Sequence, residues 1–512
     1  ALQSALLSPA KMGVVKELIG SKRLAFGSGV MEGTVILAIL VGQISGGFWF
    51  DANLARSGGD GWHAAVVPVL YLWAGGIVSL GFAHGIERSE TRPCEPFSMS
   101  RAFAHVRDLQ VVWRSRALRL SAAGVAFFWG FAGFVNLVII QVAEELYGGA
   151  VGFGSGVSLL LIYSSLGIAM GSLAAGLMSR KGIELGLVPP GGLILLGGLL
   201  GLGFAEAGSM FQYGMLSLAG FGGAVFLVPL SAYLLDHSPA GQRGVVLSAS
   251  NLLNNVAGVL GVLLQLGLKL LGFSTAAQFM VMTLLVVPVT VYVIRLLPRE
   301  FLRMMILGMV RAIYRIEVRG AGKMPETGGV LLTPNHVSFV DAFVLAAASP
   351  RHVRFLMVRN YFDVPVVGRI ARMFDTVPIS PNRAKDAIRV TAEALEEGSV
   401  VCIFPEGQLS RSGMLSEIKN GFSMIARRAG TVVLPVYMDG LWGSIFSSER
   451  GKYFWKKPRS IPYGVRVHFG EPRGARELAA PGLRAELTRL AGEAIAMRKE
   501  VTGSVAGFLE LG

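Results

Sequence analysis

Long apolar stretches separated by short polar segments make up the first 297 residues of the chain. An α-helix needs about 20 mostly apolar residues to cross the hydrocarbon core of a bilayer, and these stretches have that length. Eight transmembrane helices are therefore predicted, at residues 27–49, 64–84, 119–143, 154–178, 187–205, 211–235, 246–271 and 275–297. Residues 1–297 are predicted to form an all-α membrane domain.

The pattern changes to that of an α/β domain after about Ile316. Short apolar runs predict strands at Val353–Val358, Thr376–Ile379, Val400–Phe404, Val432–Tyr437 and Val465–Phe469. Longer segments predict helices at Ala384–Glu397, Glu417–Ala429 and Ala475–Lys499. The run Val400–Phe404 is apolar throughout, which is typical of a central strand covered on both faces. Residues 319–512 are therefore predicted to form a second, α/β domain.

Residues 298–318, between the two predicted domains, have the pattern of an amphipathic helix. Four basic residues recur at spacings of four and eight and so share one helical face: Arg299, Arg303, Arg311 and Arg315. Apolar residues occupy much of the remaining surface: Phe301, Leu302, Met305, Met309 and Ile313. A basic stripe beside an apolar face is typical of a helix in the headgroup layer of a membrane. The alternative is a linker helix packed on protein.

Composition and charge agree with a membrane protein. The chain is 52% hydrophobic and only 16% charged, whereas soluble proteins carry about a quarter charged residues. The net charge is +14, and loops rich in Lys and Arg alternate along the chain with loops that are poor in them. By the positive-inside rule the basic loops, and everything after Leu297, are cytoplasmic. The predicted location is the inner membrane of a bacterium, with no signal peptide expected at the start of this sequence.

Other classes of function are disfavoured by the sequence. No basic patch is interleaved with aromatic residues, so nucleic acid is not an expected partner. The two cysteines, Cys94 and Cys402, are far apart and predict a reducing compartment without a disulfide framework. No cysteine pair, His-Glu-x-x-His motif or acidic calcium loop occurs. We therefore expect neither a metal site nor a resident cofactor.

Candidate chemistry lies in the stretch from Thr333 to Asp341, directly after the apolar run Gly329–Leu332. Ser338 with Asp341 three residues later resembles a capping box, which predicts a helix that begins near Ser338. His336 would then lie in the turn before the helix, and its ring can fold back to the Asp341 carboxylate. A carboxylate on one imidazole nitrogen fixes the tautomer and leaves the other nitrogen as a general base.

A second cluster of polar residues follows the Val400–Phe404 run, where α/β proteins place their sites. It contains Glu406, Gly407, Ser410 and Arg411. The combination of His-x4-Asp with a later Phe-Pro-Glu-Gly-x-x-Ser-Arg resembles the glycerolipid acyltransferase family, which includes 1-acylglycerol-3-phosphate acyltransferase. Weaker elements of that family are Val377–Ser380 with Arg383, Ile418–Gly421 with Lys419, and Val433–Val436.

This resemblance implies acyl transfer from an acyl thioester to a lysolipid. His336 would be the general base and Asp341 its orienting acid, while the lipid hydroxyl supplies the nucleophile. The implied substrate-binding residues are Arg383, Glu406, Gly407, Ser410, Arg411 and Lys419. The three basic residues among them are candidates for the acceptor phosphate, and amides near Gly407 for an anion nest. Glu406 would hold either Arg411 or the acceptor hydroxyl. Gln408-Leu409 stands where the family commonly has Thr-Arg, which leaves the acceptor head group open.

The membrane part contains an internal repeat. Leu7–Ser28 matches Leu227–Ser248 without a gap, with Pro9 on Pro229 and Arg23 on Arg243. Parallel repeats of six helices are the plan of the major facilitator superfamily, which predicts that roughly 100 residues of the first repeat are absent here. The alternative is a chance similarity of two amphipathic loops. Ser179–Pro189 and Ser8–Lys11 resemble the lysophospholipid transporter branch of that superfamily, so a substrate with a lipid tail is expected.

Together the two parts resemble the family of 2-acylglycerophosphoethanolamine acyltransferase/acyl-carrier-protein synthetase. This implies that imported lysophospholipid is re-acylated, with acyl-carrier protein or acyl-CoA as donor and an acyl-carrier-protein synthetase domain or protein as a further partner. Two alternatives remain open from the sequence. One is phosphatidic acid synthesis from 1-acylglycerol-3-phosphate, with the helices as an anchor. The other is a lipid transporter whose second domain only binds lipid.

Overall fold

The computed structural model describes residues 38, 41–42, 44–85, 104–148, 152–179, 183–239, 242–380, 384–451, 462–474 and 476–509. The chain divides into two compact units, Ala1–Phe301 and Leu302–Gly512. The first is entirely helical in its described part, and the second is an α/β domain. The predicted fold class is confirmed.

The first unit consists of α1 (44–56), α2 (Gly61–His84), α3 (Ala104–Arg114), α4 (Arg116–Tyr147), α5 (Phe153–Met178), α6 (Val188–Phe204), α7 (Met210–Asp236), α8 (Arg243–Leu270) and α9 (Thr275–Leu296). Seven helical segments in the described residues are long and apolar enough to span a membrane. They correspond to seven of the eight predicted spans. The predicted first span, 27–49, lies mostly outside the described residues.

Close helix packing in this unit depends on small residues. α6 and α7 approach so closely that a Cβ on Gly198 would lie 2.6 Å from the Ala219 nitrogen. A Cβ on Gly222 would lie 2.4 Å from the Leu195 nitrogen. Only glycine permits this separation, which is the usual reason for glycine at helix interfaces in membranes.

Buried amides add polar contacts between α4, α8 and α9. Gln265 Nε2 donates to Gln141 Oε1 at 3.1 Å and to Gln278 Oε1 at 3.2 Å. Gln278 Nε2 donates to Gln141 Oε1 at 3.0 Å. Because these amides satisfy one another away from water, they hold three helices together. Gln141, near the end of α4, thus forms interhelical hydrogen bonds with both other helices.

The predicted amphipathic helix is shorter than expected. α10 (Pro298–Ile313) ends before Val318, and Tyr314–Arg319 is instead strand β1. The prediction of helix to Val318 was therefore wrong, because β7 offers this segment a parallel partner from Tyr314 to Arg319. Alternation of side chains along a strand then buries Tyr314, which is 4% exposed.

Two basic residues of α10 contact residues of the second unit. Arg303 Nη1 lies 2.8 Å from His352 Nδ1, and Arg311 Nη2 donates to the Ala347 carbonyl at 3.1 Å. Val310 is buried in the same core. A different stripe of the helix is exposed and apolar, formed by Leu302, Met305, Met309 and Ile313. One face of α10 thus packs on protein, as the linker alternative predicts, and contact of its exposed apolar face with a membrane stays a prediction.

The second unit is built on an eight-stranded sheet. Its other strands are β2 (Val330–Pro334), β3 (Val353–Val358), β4 (Val377–Ile379), β5 (Val400–Cys402), β6 (Val432–Asp439), β7 (Tyr463–Phe469) and β8 (Arg473–Gly474). The strand order is β1-β7-β6-β2-β5-β3-β4, with β8 paired to β6. Its helices are α11 (Asp341–Ala348), α12 (Arg359–Phe362), α13 (Pro365–Met373), α14 (Ala384–Glu396), α15 (Gly421–Ala429) and α16 (Ala480–Leu509).

The central strand β2 fixes the position of the candidate site. It is buried throughout and pairs in parallel with both β5 and β6, with Leu332 opposite Cys402 and Leu434. Because parallel strands end at the same edge of a sheet, the segments that follow β2 and β5 meet there. The first carries His336 and the second carries Glu406. The sheet therefore brings the two predicted clusters together.

Candidate active site

His336 lies in the turn between β2 and α11. Its Nδ1 lies 2.9 Å from Asp341 Oδ2, so the predicted contact between ring and carboxylate is present. Asp341 is completely buried, whereas the His336 side chain is 21% exposed. The acid of the pair is thus buried in the protein, whereas the imidazole is accessible from the surface.

The turn around His336 is shaped by the Asp341 carboxylate. Oδ2 also accepts hydrogen bonds from the backbone N–H groups of Val337 at 2.7 Å and Ser338 at 2.9 Å. The bond to Ser338 is one half of the predicted capping box. The helix nevertheless begins at Asp341, not near Ser338, because the Asp341 N–H bonds to the Ser338 carbonyl instead of to its hydroxyl.

These contacts determine the tautomer of His336. Asp341 Oδ2 accepts two backbone N–H groups, so it acts as a hydrogen-bond acceptor. Nδ1 of the His336 ring therefore carries a hydrogen and donates it to Oδ2. Nε2 then carries the lone pair that a general base needs. Burial raises the pKa of Asp341, while the hydrogen bonds from His336, Ser338 and Val337 oppose that rise.

Two residues that the sequence reasoning did not assign also hold this turn. The Phe404 ring stacks on the His336 ring, with centroids 3.8 Å apart and an angle of 20° between the planes. Asn335 Oδ1 accepts from the Met438 N–H at 2.7 Å, and its Nδ2 donates to the Met438 carbonyl at 3.1 Å. Both residues are part of the motifs quoted above, but their contacts join distant strands and have no signal in the local sequence.

The predicted substrate-binding residues differ in how accessible they are. Glu406 is 1% exposed, and its two oxygens accept backbone N–H groups of His336 and Ser416, both at 2.8 Å. Ser410 is also 1% exposed, and its hydroxyl donates to the Met414 carbonyl at 2.7 Å. Neither side chain bonds to Arg411, and both are buried, while their contact with substrate stays a prediction.

Gly407 forms a tight turn, and the anion nest expected from amides near it stays a prediction. Its φ of +70° is one that glycine adopts without strain. Its N–H donates to the Phe404 carbonyl at 3.0 Å and so is not free for an anion. A Cβ at this position would lie 2.9 Å from Lys419 Nζ, which places the ammonium group directly against the turn.

Two of the predicted substrate-binding residues are cations that are accessible to a substrate. Arg411 and Lys419 are both exposed, and neither side chain makes a hydrogen bond or ion pair with a described residue. Arg383, the third predicted phosphate ligand, lies outside the described residues. Guanidinium and ammonium groups at the edge that carries His336 are suited to a phosphate-bearing ligand.

The environment of Cys402 makes its thiol unsuited to act as a nucleophile. This residue is completely buried in β5, and burial raises the pKa of its thiol well above the usual range. The thiolate is the reactive form of cysteine, so this side chain is inert at neutral pH. Among the described residues, no group of three or more His, Cys, Asp or Glu side chains is arranged to hold a metal ion.

Two family models match the chain. Residues 1–262 match the model of the Major Facilitator Superfamily, and residues 315–439 match the model named Acyltransferase. The second match contains β1 to β6 with both His336 and Glu406. The two matches fall in the two units of the structure and so identify the second unit as an acyltransferase domain.

Similar proteins are known for the membrane part. The chain is 26% identical over 267 residues to the lysophospholipid transporter LplT of Photorhabdus laumondii subsp. laumondii, covering 52% of this chain and 63% of that protein. It is 29% identical to LplT of Pectobacterium carotovorum over 268 residues, covering 52% and 61%. For LplT of Klebsiella pneumoniae the identity is 29% over 282 residues, covering 53% and 64%. The chain thus spans less than two thirds of these relatives.

Among solved structures, the crystal structure of the 1-acyl-sn-glycerophosphate (LPA) acyltransferase PlsC from Thermotoga maritima is similar at a TM-score of 0.30 and 20% identity. The alignment covers 40% of this chain and 82% of the PlsC chain. The family models match over half of the chain and agree with the all-α unit and the α/β unit described above. The chain therefore belongs to the Major Facilitator Superfamily and carries an acyltransferase domain after its membrane helices.

Proposed function

We propose that this protein transfers a fatty acyl group from an acyl thioester to the free hydroxyl of a lysophospholipid. The observation that carries the proposal is the His336–Asp341 pair, at 2.9 Å, with the acid buried and the imidazole accessible at the sheet edge. This is the arrangement of a general base whose tautomer is fixed by a carboxylate.

The chemistry follows from the free Nε2 of His336. Nε2 removes the proton of the lysolipid hydroxyl as its oxygen attacks the thioester carbonyl carbon. Asp341 stabilises the imidazolium that results. The tetrahedral intermediate then expels the thiolate, which takes the proton from Nε2, so that the enzyme returns to its starting state. No covalent acyl-enzyme is needed.

The acceptor phosphate would be bound by the exposed cations. Arg411 and Lys419 lie in the segment that follows β5, at the edge where His336 lies. Arg383 is retained as a third ligand on the basis of the family resemblance. Charge-assisted hydrogen bonds to phosphate oxygens would orient the lysolipid with its hydroxyl toward Nε2.

The membrane unit suggests how the acceptor arrives. Its relatives are lysophospholipid transporters, so we propose that this unit brings lysophospholipid to the cytoplasmic leaflet of a bacterial inner membrane. The acyltransferase domain would act there, on acyl-carrier protein or acyl-CoA as donor. An acyl-carrier-protein synthetase domain or protein would supply the first of these donors. The proposed reaction uses no resident cofactor.

An acceptor-by-donor matrix on the purified chain tests this proposal. We expect transfer to lysophosphatidylethanolamine from an acyl thioester, and loss of transfer in His336→Ala. A strong preference for lysophosphatidate would favour phosphatidic acid synthesis instead. Unchanged transfer in His336→Ala, or no transfer from either donor to any lysolipid, would overturn the assignment and leave a lipid-binding domain.

A further inference from the structure

Glu406 is a buried acid with both carboxylate oxygens bonded to the main chain. It is 1% exposed, Oε1 accepts from the His336 N–H at 2.8 Å, and Oε2 accepts from the Ser416 N–H at 2.8 Å. One side chain therefore ties the turn after β2 to a loop on the far side of the Phe-Pro-Glu-Gly segment. Because Glu406 is almost completely buried and each of its oxygens accepts a main-chain N–H, it presents no exposed oxygen to a substrate.

The same segment also holds the main-chain carbonyl group of His336. The Ser410 N–H donates to the His336 carbonyl at 2.8 Å. The main-chain N–H and C=O of His336 are thus both bonded to residues that follow β5. Phe404, from the same segment, covers one face of the imidazole ring at a centroid distance of 3.8 Å. Only the torsions of the side chain remain, and Asp341 fixes the ring at Nδ1.

A carboxylate is the group that this position needs. Two N–H donors converge on one side chain, and a carboxylate offers an acceptor to each. The bonds are charge-assisted and therefore roughly twice as strong as neutral ones. A glutamine of the same shape would accept one N–H and would point its own N–H₂ group at the other donor. The backbone of His336 or of Ser416 would have to move away.

We propose that Glu406 is a positioning residue, which sets the location of the His336 imidazole without touching either substrate. The inference rests on the proposed function of His336 as the general base. It differs from the expectation of the sequence motif, in which this glutamate binds the acceptor. It also explains why Glu406 is only 1% exposed although the imidazole of the neighbouring His336 is accessible.

The test compares Glu406→Gln and Glu406→Ala with the wild-type chain in full kinetic measurements. A shift of the imidazole by about 1 Å can reduce a rate by about 100-fold. We therefore expect kcat to fall about 10- to 100-fold in Glu406→Gln and further in Glu406→Ala. The KM values for lysolipid and for thioester should stay within about twofold, because no substrate contact is lost. Glu417→Gln, an exposed acid in the neighbouring segment, should leave both parameters unchanged.

Three results would overturn the positioning role. One is a rise in the KM for the acceptor at constant kcat, which would place Glu406 on the substrate. Another is full kcat in Glu406→Gln. The third is a loss of activity that matches the loss of folded protein, measured by thermal unfolding, which would make the role purely structural. His336→Ala run in parallel separates the two proposals, since an active His336→Ala contradicts the proposed function itself.

Discussion

Asp341→Asn separates what this carboxylate does by its shape from what it does by its charge. Its three hydrogen bonds all end on Oδ2, from His336 Nδ1 and from the N–H groups of Val337 and Ser338. Oδ1 is buried and bonds to no described residue. An asparagine with its oxygen at the Oδ2 position keeps all three bonds and places its N–H₂ at the Oδ1 position. The opposite orientation would point N–H₂ at two N–H donors and is disfavoured.

The magnitude of the effect follows from this orientation. The His336 tautomer is kept, so the variant loses only the negative charge that stabilises the imidazolium. The minimum loss is the difference between a charged and a neutral hydrogen bond, about 1.4 kcal/mol and hence about tenfold in kcat. The maximum is the Coulomb energy of a close ion pair near a protein surface, about 4 kcal/mol, which corresponds to about 1,000-fold. KM should change little, because Asp341 is completely buried and cannot reach a substrate.

The same substitution has an effect on stability whose sign depends on pH. Burial raises the pKa of Asp341 above its ordinary value of 3.8. A carboxyl group with a raised pKa in the folded state stabilises the fold below pH 3.8, and that contribution is lost as the pH rises through the folded-state pKa. Asparagine does not titrate. The free energy of unfolding of the wild type, relative to Asp341→Asn, should therefore fall as the pH is raised from about 3.8.

Steady-state kinetics at neutral pH and thermal unfolding between pH 4 and pH 7 measure these two effects. His336→Ala serves as the reference for complete loss of the base. An unchanged kcat in Asp341→Asn would refute the role of the charge. A loss as large as that of His336→Ala would show that the amide has flipped and reversed the tautomer. A stability difference that grows with pH would mean that the fold favours the ionised carboxylate, against the effect of burial.

Two further predictions concern residues away from the proton transfer. Cys402 should resist alkylation in the folded chain at neutral pH and react only after unfolding, because it is completely buried and its thiol pKa is raised; labelling of Cys402 itself in the folded protein, located by peptide mass spectrometry and so distinguished from labelling of Cys94, would contradict this. Asp51→Asn should lower the unfolding temperature of the membrane unit, because the carboxylate accepts the Gly154 N–H at 3.0 Å and the Ser155 N–H at 2.7 Å and loss of such a cap costs about 1 kcal/mol. The exposed control Glu206→Gln should unfold like the wild type, and an Asp51→Asn chain with unchanged unfolding temperature would show that the cap does not contribute.

The parts of the fold that the sequence predicted well are those set by local pattern. The spanning helices follow from uninterrupted apolar length, since backbone groups in a bilayer must bond within their own helix. The strand at Val353–Val358 has the predicted bounds, and helix α14 differs by one residue. The order of strands is not a local property. That β2 lies between β5 and β6 depends on pairing with strands separated from it by 65 residues or more, which no pattern in the Val330–Pro334 segment encodes.

Two helix boundaries were predicted wrongly, each for its own physical reason. Basic residues at helical spacing predicted one helix to Val318, but the segment from Tyr314 pairs with β7 and becomes a strand. A contact with a strand distant in the sequence here outweighs a weak local preference, and the spacing of the basic residues does not reveal it. Ser338 and Asp341 predicted a helix that begins near Ser338. The Asp341 carboxylate does accept the Ser338 N–H, but the Asp341 N–H bonds to the Ser338 carbonyl, and the helix begins at Asp341.

The candidate site could be found from the sequence, but the roles within it could not. A motif shows which residue types occur together, and it treats Glu406 and Arg411 alike as polar residues next to a strand end. Their environments assign them to opposite tasks. A buried charge is tolerated only when hydrogen bonds replace its hydration, so Glu406 and Asp341 are committed to the main chain and to His336. An exposed charge keeps its hydration until a ligand displaces it, so Arg411 and Lys419 remain free to bind one. The site therefore has buried carboxylates and exposed cations. Such an arrangement suits a base that is fixed in position while a phosphate-bearing lipid binds and is released.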